Sequence, residues 1–353
     1  MSGWTAAAGL GAHATAGHQP PPLTPVRLLT EWVLEPVPAA LIVSVAGLYL
    51  YGVHRLRARG DRWSRWRTFF FIGLGLGAAL LATQSALAAY DTMLISVHMV
   101  QHMLLSMAVP IFLALGAPIT LALRTLPPAG RRQLLGVLHS RIAKVLTFPV
   151  VAGALFIANP FVLYFSGLYE ATLRHPVLHD LNHLHFVVVG CLWFWPLIGL
   201  DPMPHRIPYP LRLLGIFVTL PFHAFLGVAI MSATAVIAGD WYLALNRDWG
   251  PGLLDDQQVA GGILWAAGDL VGLIVFTVLF FQWASASERE AEREDRRLDR
   301  LARAAAAHRP PPGDEAATGG HAPPPTAGVP PTAGVPPTAG VPPGAGVPPG
   351  AGV

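Results

Sequence analysis

Seven apolar runs, each close to the ~20 residues that a helix needs to cross a bilayer, fill the middle of this chain. They lie near residues 36–54, 68–90, 92–115, 145–168, 181–200, 211–238 and 259–283. Inside hydrocarbon a segment must satisfy its own backbone hydrogen bonds, so runs of this length dictate helices rather than an open sheet. Composition agrees: 53% of the residues are hydrophobic and 12% charged, about half the charge of an ordinary soluble protein. The expected fold is an all-α polytopic membrane protein with seven transmembrane helices.

Charge predicts the orientation. Segment 54–67 carries six arginines, and segment 124–144 carries four arginines and Lys144. Segment 201–212 adds Arg206 and Arg212, and the tail after residue 283 adds seven more. Only Arg27, Arg174 and Arg247 fall on the other side. The positive-inside rule then predicts an N-terminus outside and a C-terminus in the cytoplasm, as an odd number of spans requires. The basic loops are read as topology determinants, and no nucleic-acid partner is expected.

Four regions follow. Residues 1–30 read as a flexible extracytoplasmic lead; no basic stretch precedes an apolar run there, so no cleavable signal peptide is expected. His13 and His18 on this lead read as incidental. Residues 31–286 form the seven-helix transmembrane domain. Residues 287–309 are dense in Glu, Arg and Ala and predict a charged cytoplasmic helix. Residues 310–353 are Pro/Gly-rich and repeat a six-residue unit ending Ala-Gly-Val; such a repeat has no core to bury and predicts disorder. Within the membrane domain, Tyr90-Asp91 alone separates the second and third runs, which predicts a tight hairpin. Pro110 and Pro118 are expected to kink or end the third helix, and Pro160 and Pro221 to disturb the fourth and sixth. Gly73, Gly75 and Gly77 give the second helix small residues suited to close packing.

The residues that carry chemistry are histidines. His98 and His102 are four apart, so both imidazoles leave one face of the third helix, with Met99 and Met103 beside them. Counted from the outer end, they lie about 9 and 15 Å deep at ~1.5 Å per residue. His179 and His183 form a second pair at the start of the fifth helix, and His185 points to a different face. His223 falls near mid-membrane on the sixth, and Asp269 about one-third to halfway across on the seventh. His98, His102, His183, His223 and Asp269 are therefore expected to meet in the outer half of the bundle. Structural readings stand beside this one: a lone His223 or His185 bridging helices, Asp269 pairing with a histidine, methionines serving as packing. A same-face buried pair such as His98 and His102 has fewer structural uses. Imidazole with thioether suits Cu(I) better than Zn²⁺ or Mg²⁺.

Several classes are excluded. Cys191 is the lone cysteine, which rules out a disulfide framework, a CxxC motif and covalent haem attachment. No hydrolase or nucleotide-binding pattern occurs at a usable position, so the protein is expected not to be an enzyme. A retinal protein needs a lysine within a helix, and Lys144 is the only lysine, at the edge of the fourth run.

The residues His98-Met-Val-Gln-His-Met-Leu-Leu105, followed by Pro110 and Leu115-Gly-Ala-Pro118, resemble the signature of the polytopic CtaG family of cytochrome c oxidase assembly factors. Further matching stretches are Tyr164-Phe-Ser-Gly-Leu-Tyr-Glu170, residues 179–186, and Phe194-Trp-Pro-Leu-Ile-Gly-Leu-Asp-Pro202. Pro221-Phe-His-Ala-Phe225, Asp240-Trp-Tyr242, and Asp256-Gln257 with Gly261-Gly262 and Trp265 complete the set. The resemblance covers about residues 30–290. It implies a multi-pass protein of the bacterial plasma membrane that helps build a haem–copper oxidase, with the oxidase catalytic subunit and the lipid bilayer as partners. The family's histidines carry over onto His98, His102, His179, His183, His185 and His223, and its aspartate–glutamine pair onto Asp256 and Gln257. Asp269 stands where the family commonly has Glu, one methylene shorter.

The expected function is a non-enzymatic assembly factor holding Cu(I) transiently, with His98 and His102 as primary ligands and His183 and His223 completing the site. His179, His185, Asp256, Gln257, Asp269, Met99 and Met103 are expected to support it. The alternatives are a b-type haem protein with axial histidines such as His102 and His183, a copper or proton transporter, and a structural scaffold.

Overall fold

The computed structural model describes residues 20–307; most of the expected lead and the whole of the repeat tail at 310–353 lie outside the described residues. Six helices are long and apolar enough to cross a membrane. They are Pro36–Ala58, Arg65–Gln84, Ile95–Leu115, Pro176–Ile198, Tyr209–Ser232 and Leu253–Ala305. The pair Pro149–Tyr164 and Leu168–Arg174, bent by 68° at its break, supplies a seventh if it counts as one span. Among the described residues there is no strand, only an isolated bridge between Trp32 and Ser85. The chain is an all-α, multi-pass membrane protein.

The third span is the most buried of the six long helices: 72% of its apolar stretch is buried inside the protein, against 17% of that of the first. Its apolar residues are therefore paired with protein rather than lipid. Met99, Met103, Leu105, Met107 and Val109 pack into one core with Phe156, Phe186 and Trp193.

Proline shapes this helix differently from the expected kink. Pro110 has no N–H to give the carbonyl of Ser106, four residues back, and its ring crowds that carbonyl. The preceding turn widens to a π-helix over Leu104–Ala108, and the helix then continues to Leu115. The carbonyl of Ser106 faces Gly190 on the fifth span, where an added Cβ would lie 2.2 Å from its oxygen. Only glycine permits that approach. Pro118 does stop the helix: Ala117 takes a left-handed conformation, φ 48°, and a new helix starts at Pro118. Its first free N–H groups are met by Asp201, whose carboxylate accepts from the N–H groups of Ile119 and Thr120 and from Trp195.

Three other expectations change. The helix Pro149–Tyr164 continues through Pro160, and its break comes later, at Phe165–Gly167. Pro221 likewise lies inside an unbroken Tyr209–Ser232. Neighbouring helices compensate for one missing backbone bond, so a proline inside a membrane helix need not end it. Of the three glycines on the second helix, only Gly75 meets another helix closely, with an added Cβ at 3.0–3.3 Å from Leu113.

The hairpin expected at Tyr90-Asp91 is also longer. The second span ends at Gln84, Ser85 turns extended, and its hydroxyl caps a short helix Ala86–Tyr90 by accepting from the Leu87 N–H. A turn from Asp91 then leads into Ile95. That extra turn sets Asp91 between the two spans, facing inward.

A second unit begins at Glu294. Its described part is helical and exposed, with an ion pair between Arg297 and Glu294.

Candidate metal centre

With the bent pair counted as the fourth span, the third, fifth and seventh spans are Ile95–Leu115, Pro176–Ile198 and Leu253–Ala305. All three start at one end of the bundle, the junction end, beside the turn that joins the second span to the third. Asp256, in the first turn of the seventh, accepts from the Ile95 N–H at 2.6 Å and from the Ser96 hydroxyl. A carboxylate at a helix N-terminus meets both free N–H groups and the positive end of the helix dipole. Asp256 thus positions the helix that carries His98. Gln257 ties down the chain after the sixth span, accepting from Ile237 N–H at 2.7 Å and donating to the carbonyls of Ile230 and Ala235. The expected support from these two residues is to the frame, one step away from the histidines.

Beneath that frame lies a buried group of ligand atoms. Asp91, His179 and His183 each offer one atom, all within 4.8 Å of one another. His179 donates from Nε2 to Asp91 Oδ2 at 2.8 Å. His183 donates from Nε2 to the Gln101 side-chain oxygen at 3.0 Å, with Asp91 Oδ2 at 3.7 Å. The two rings meet edge to face, with centroids 4.4 Å apart. Gln101 is held in turn by donating to the Ala82 carbonyl.

Asp91 is 1% exposed. Burial alone would raise its carboxyl, but the imidazoles of His179, His183 and His98 outweigh that and hold it at about 2. It is a carboxylate, and its second oxygen has no hydrogen-bond partner. A buried anion with an open oxygen, flanked by two imidazoles, is suited to receive a cation.

His98 lies within electrostatic reach of Asp91 and His179. It is fully buried, and neither ring nitrogen has a hydrogen-bond partner. Tyr169 packs on its ring at 4.8 Å between centroids and is itself fixed by a hydroxyl–hydroxyl bond of 2.7 Å to Tyr242. A buried imidazole without partners costs roughly 1–3 kcal/mol per unsatisfied group, so its environment is built for something other than stability.

One turn further along the helix, His102 Nδ1 lies 3.1 Å from the Tyr164 hydroxyl, which donates to Met99 Sδ at 3.7 Å. His102 and His223 line one small cavity of ≈ 10 Å³, together with Ser106, Asn159 and Phe186. The residues expected to meet are thus divided: His183 joins Asp91 and His179, which were not expected there, with His98 nearby, while His102 and His223 line a cavity of their own.

The remaining candidates lie at the edges. His185 is exposed on the far face of its helix and bonds Asn159 at 2.6 Å. Asp269 accepts from Trp265 at 2.8 Å, one oxygen stays buried without a partner, and it acts electrostatically on His223. Met103 is packed in the core. Asp91, Gln101, Tyr164 and Tyr169 were not singled out as site residues from the sequence. Asp91 had a signal there, as the one acid in the short gap between two apolar runs; Gln101 had a weaker one, as a polar residue inside a span.

The model of the cytochrome c oxidase caa3 assembly factors matches residues 47–286, most of the chain. The chain belongs to that family. Proteins of Mycobacterium bovis and Mycobacterium tuberculosis, both named only as uncharacterized, are 38% identical to it over 287 residues, 79% of this chain and 43% of theirs. A Mycobacterium leprae protein is 36% identical over 288 residues, 80% of this chain and 43% of its own. The chain therefore spans less than half the length of these relatives. No solved structure matches it. The match to the assembly-factor family covers every histidine of the two groups and both acids of the frame and triad, Asp256 and Asp91.

Proposed function

We propose that this caa3-type assembly factor acts without catalysis, binding copper at the junction end of the bundle and handing it to the catalytic subunit of a haem–copper oxidase. The observation that carries the reading is the Asp91–His179–His183 group, with three ligand atoms within 4.8 Å and the unpartnered His98 near it. Two imidazoles and a carboxylate match borderline metals, and His98 offers a further imidazole donor in buried surroundings. The arginine distribution supports an outer-face position for this end in a bacterial plasma membrane.

Packing favours a bare ion over haem. Ligand pockets for large cofactors run to about 300–1,000 Å³, whereas the histidines here are filled in by Tyr164, Tyr169 and Phe186. Purified protein tests the choice. Copper is expected to bind in stoichiometric amount, with no Soret absorption scaling with protein. A Soret band that tracks protein concentration, or failure of the wild-type chain to bind copper, overturns the reading.

A further inference from the structure

Resting on the copper reading, we propose that His102 and His223 form a second metal site, a two-coordinate seat for Cu(I) separate from the Asp91–His179–His183 group.

The tautomers lead there. His102 Nδ1 is engaged by the Tyr164 hydroxyl at 3.1 Å. For the lone pair of Nε2 to face an ion, Nδ1 donates to that oxygen and the hydroxyl proton goes to Met99 Sδ at 3.7 Å. On the sixth span, His223 donates from Nδ1 to the Thr219 carbonyl at 3.3 Å, the carbonyl four residues back on its own helix. That again leaves Nε2 with the lone pair. Each ring thus has its Nδ1 engaged by the protein, as metal-ligating histidines regularly do, and neither Nε2 makes a hydrogen bond in the described residues. Both histidines are buried and line the same ≈ 10 Å³ cavity. That is about the volume one water or one small ion occupies.

The surroundings select the ion. Phe186 lies 4.1 Å from the His102 ring and Phe156 5.4 Å from the His223 ring, centroid to centroid. No carboxylate lines the cavity, and the side-chain oxygen of Asn159 is committed to His185. A divalent ion entering this site would bring two charges into an apolar wall and lack the four ligands that Zn²⁺ prefers. Cu(I) carries one charge, accepts imidazole nitrogen, and as a d¹⁰ ion tolerates two-fold coordination. The outer group, with its carboxylate, accepts borderline divalent ions as well as copper, so the two sites differ in selectivity.

The test uses the full chain in detergent, titrated anaerobically with Cu(I) against a chromophoric competitor. Wild type is expected to bind two Cu(I) per chain. His223→Gln and His102→Gln, which keep side-chain volume and polarity, are each expected to bind one, with affinity for the lost ion reduced at least about 100-fold. Asp91→Asn/His183→Gln removes the outer seat and is expected to retain one Cu(I), undisplaced by excess Zn²⁺ and showing two-nitrogen coordination by X-ray absorption. If His223→Gln and His102→Gln bind as much Cu(I) as wild type, the inner site does not exist. If wild type binds copper but the outer-seat variant, still monodisperse, retains none, the inner site fails while the copper reading stands.

Discussion

Replacing His179 with leucine is expected to destabilise the protein by about 3–5 kcal/mol, the scale on which one partner of a buried ion pair is missed. The reason is the anion left behind. Asp91 is buried and ionised, and its 2.8 Å bond to His179 is its shortest contact with an imidazole. Without it the nearest imidazole nitrogen is that of His183, at 3.7 Å. Leucine fills the volume but leaves the desolvated carboxylate with only the weaker pull of His183 and His98. The double variant Asp91→Leu/His179→Leu removes both charges, and it is expected to recover most of the loss, because a buried pair replaced whole by apolar groups is often close to neutral. Thermal unfolding in detergent reads both variants. A double variant as unstable as the single one would show that the Asp91–His179 bond is not what holds the junction together.

Gly190→Ala is expected to be the most damaging single-methyl addition to the bundle. Its Cβ would lie 2.2 Å from the Ser106 carbonyl oxygen and 2.5 Å from the Pro110 ring. Neither neighbour can yield by rotating a side chain, so the fifth span must move away from the third. Overpacking of this kind costs about 1–3 kcal/mol, sometimes more. The damage reaches the site because the fifth span carries His179 and His183 and the third carries His98 and His102. Loss of stability is therefore expected together with loss of copper binding. Gly47→Ala is the control: it sits in a helix with nothing within 4 Å of the added Cβ, and it is expected to be neutral or stabilising by up to about 1 kcal/mol. Equal behaviour of the two variants, by unfolding temperature and copper titration, would refute the close approach.

The helical, membrane-crossing nature of the chain was legible in its apolar runs, because length and hydropathy are local properties. Helix ends were less so. A run near 181–200 marks the apolar middle of a helix that starts at Pro176, where proline at the first turn costs nothing. Pro160 and Pro221 looked disruptive because their neighbours are invisible from sequence; Pro110 acted through a widened turn and a glycine on another helix. The site divides in the same way. The i, i+4 spacing put His98 with His102 and His179 with His183 on shared faces, which any helix ensures. Which face meets which is a matter of register between helices. That register depends on Ser85 ending the second span early, which turns Asp91 inward, and on Gly190 letting the fifth span close on the third. Asp256 and Gln257 were recognisable as unusual polar residues at a helix start, but their partners, Ile95 N–H and Ile237 N–H, are backbone groups that no pattern of side chains reveals.

The most direct test is the copper content of the oxidase in cells lacking this protein. Deletion is expected to lower both oxidase activity and the copper bound to its purified catalytic subunit. Wild-type chain should restore both, while Asp91→Asn/His183→Gln, present in the membrane at normal level, should restore neither. An oxidase with full copper and activity in the deletion strain, or restored in full by that variant, would contradict a copper-handling role for the histidine group at the junction.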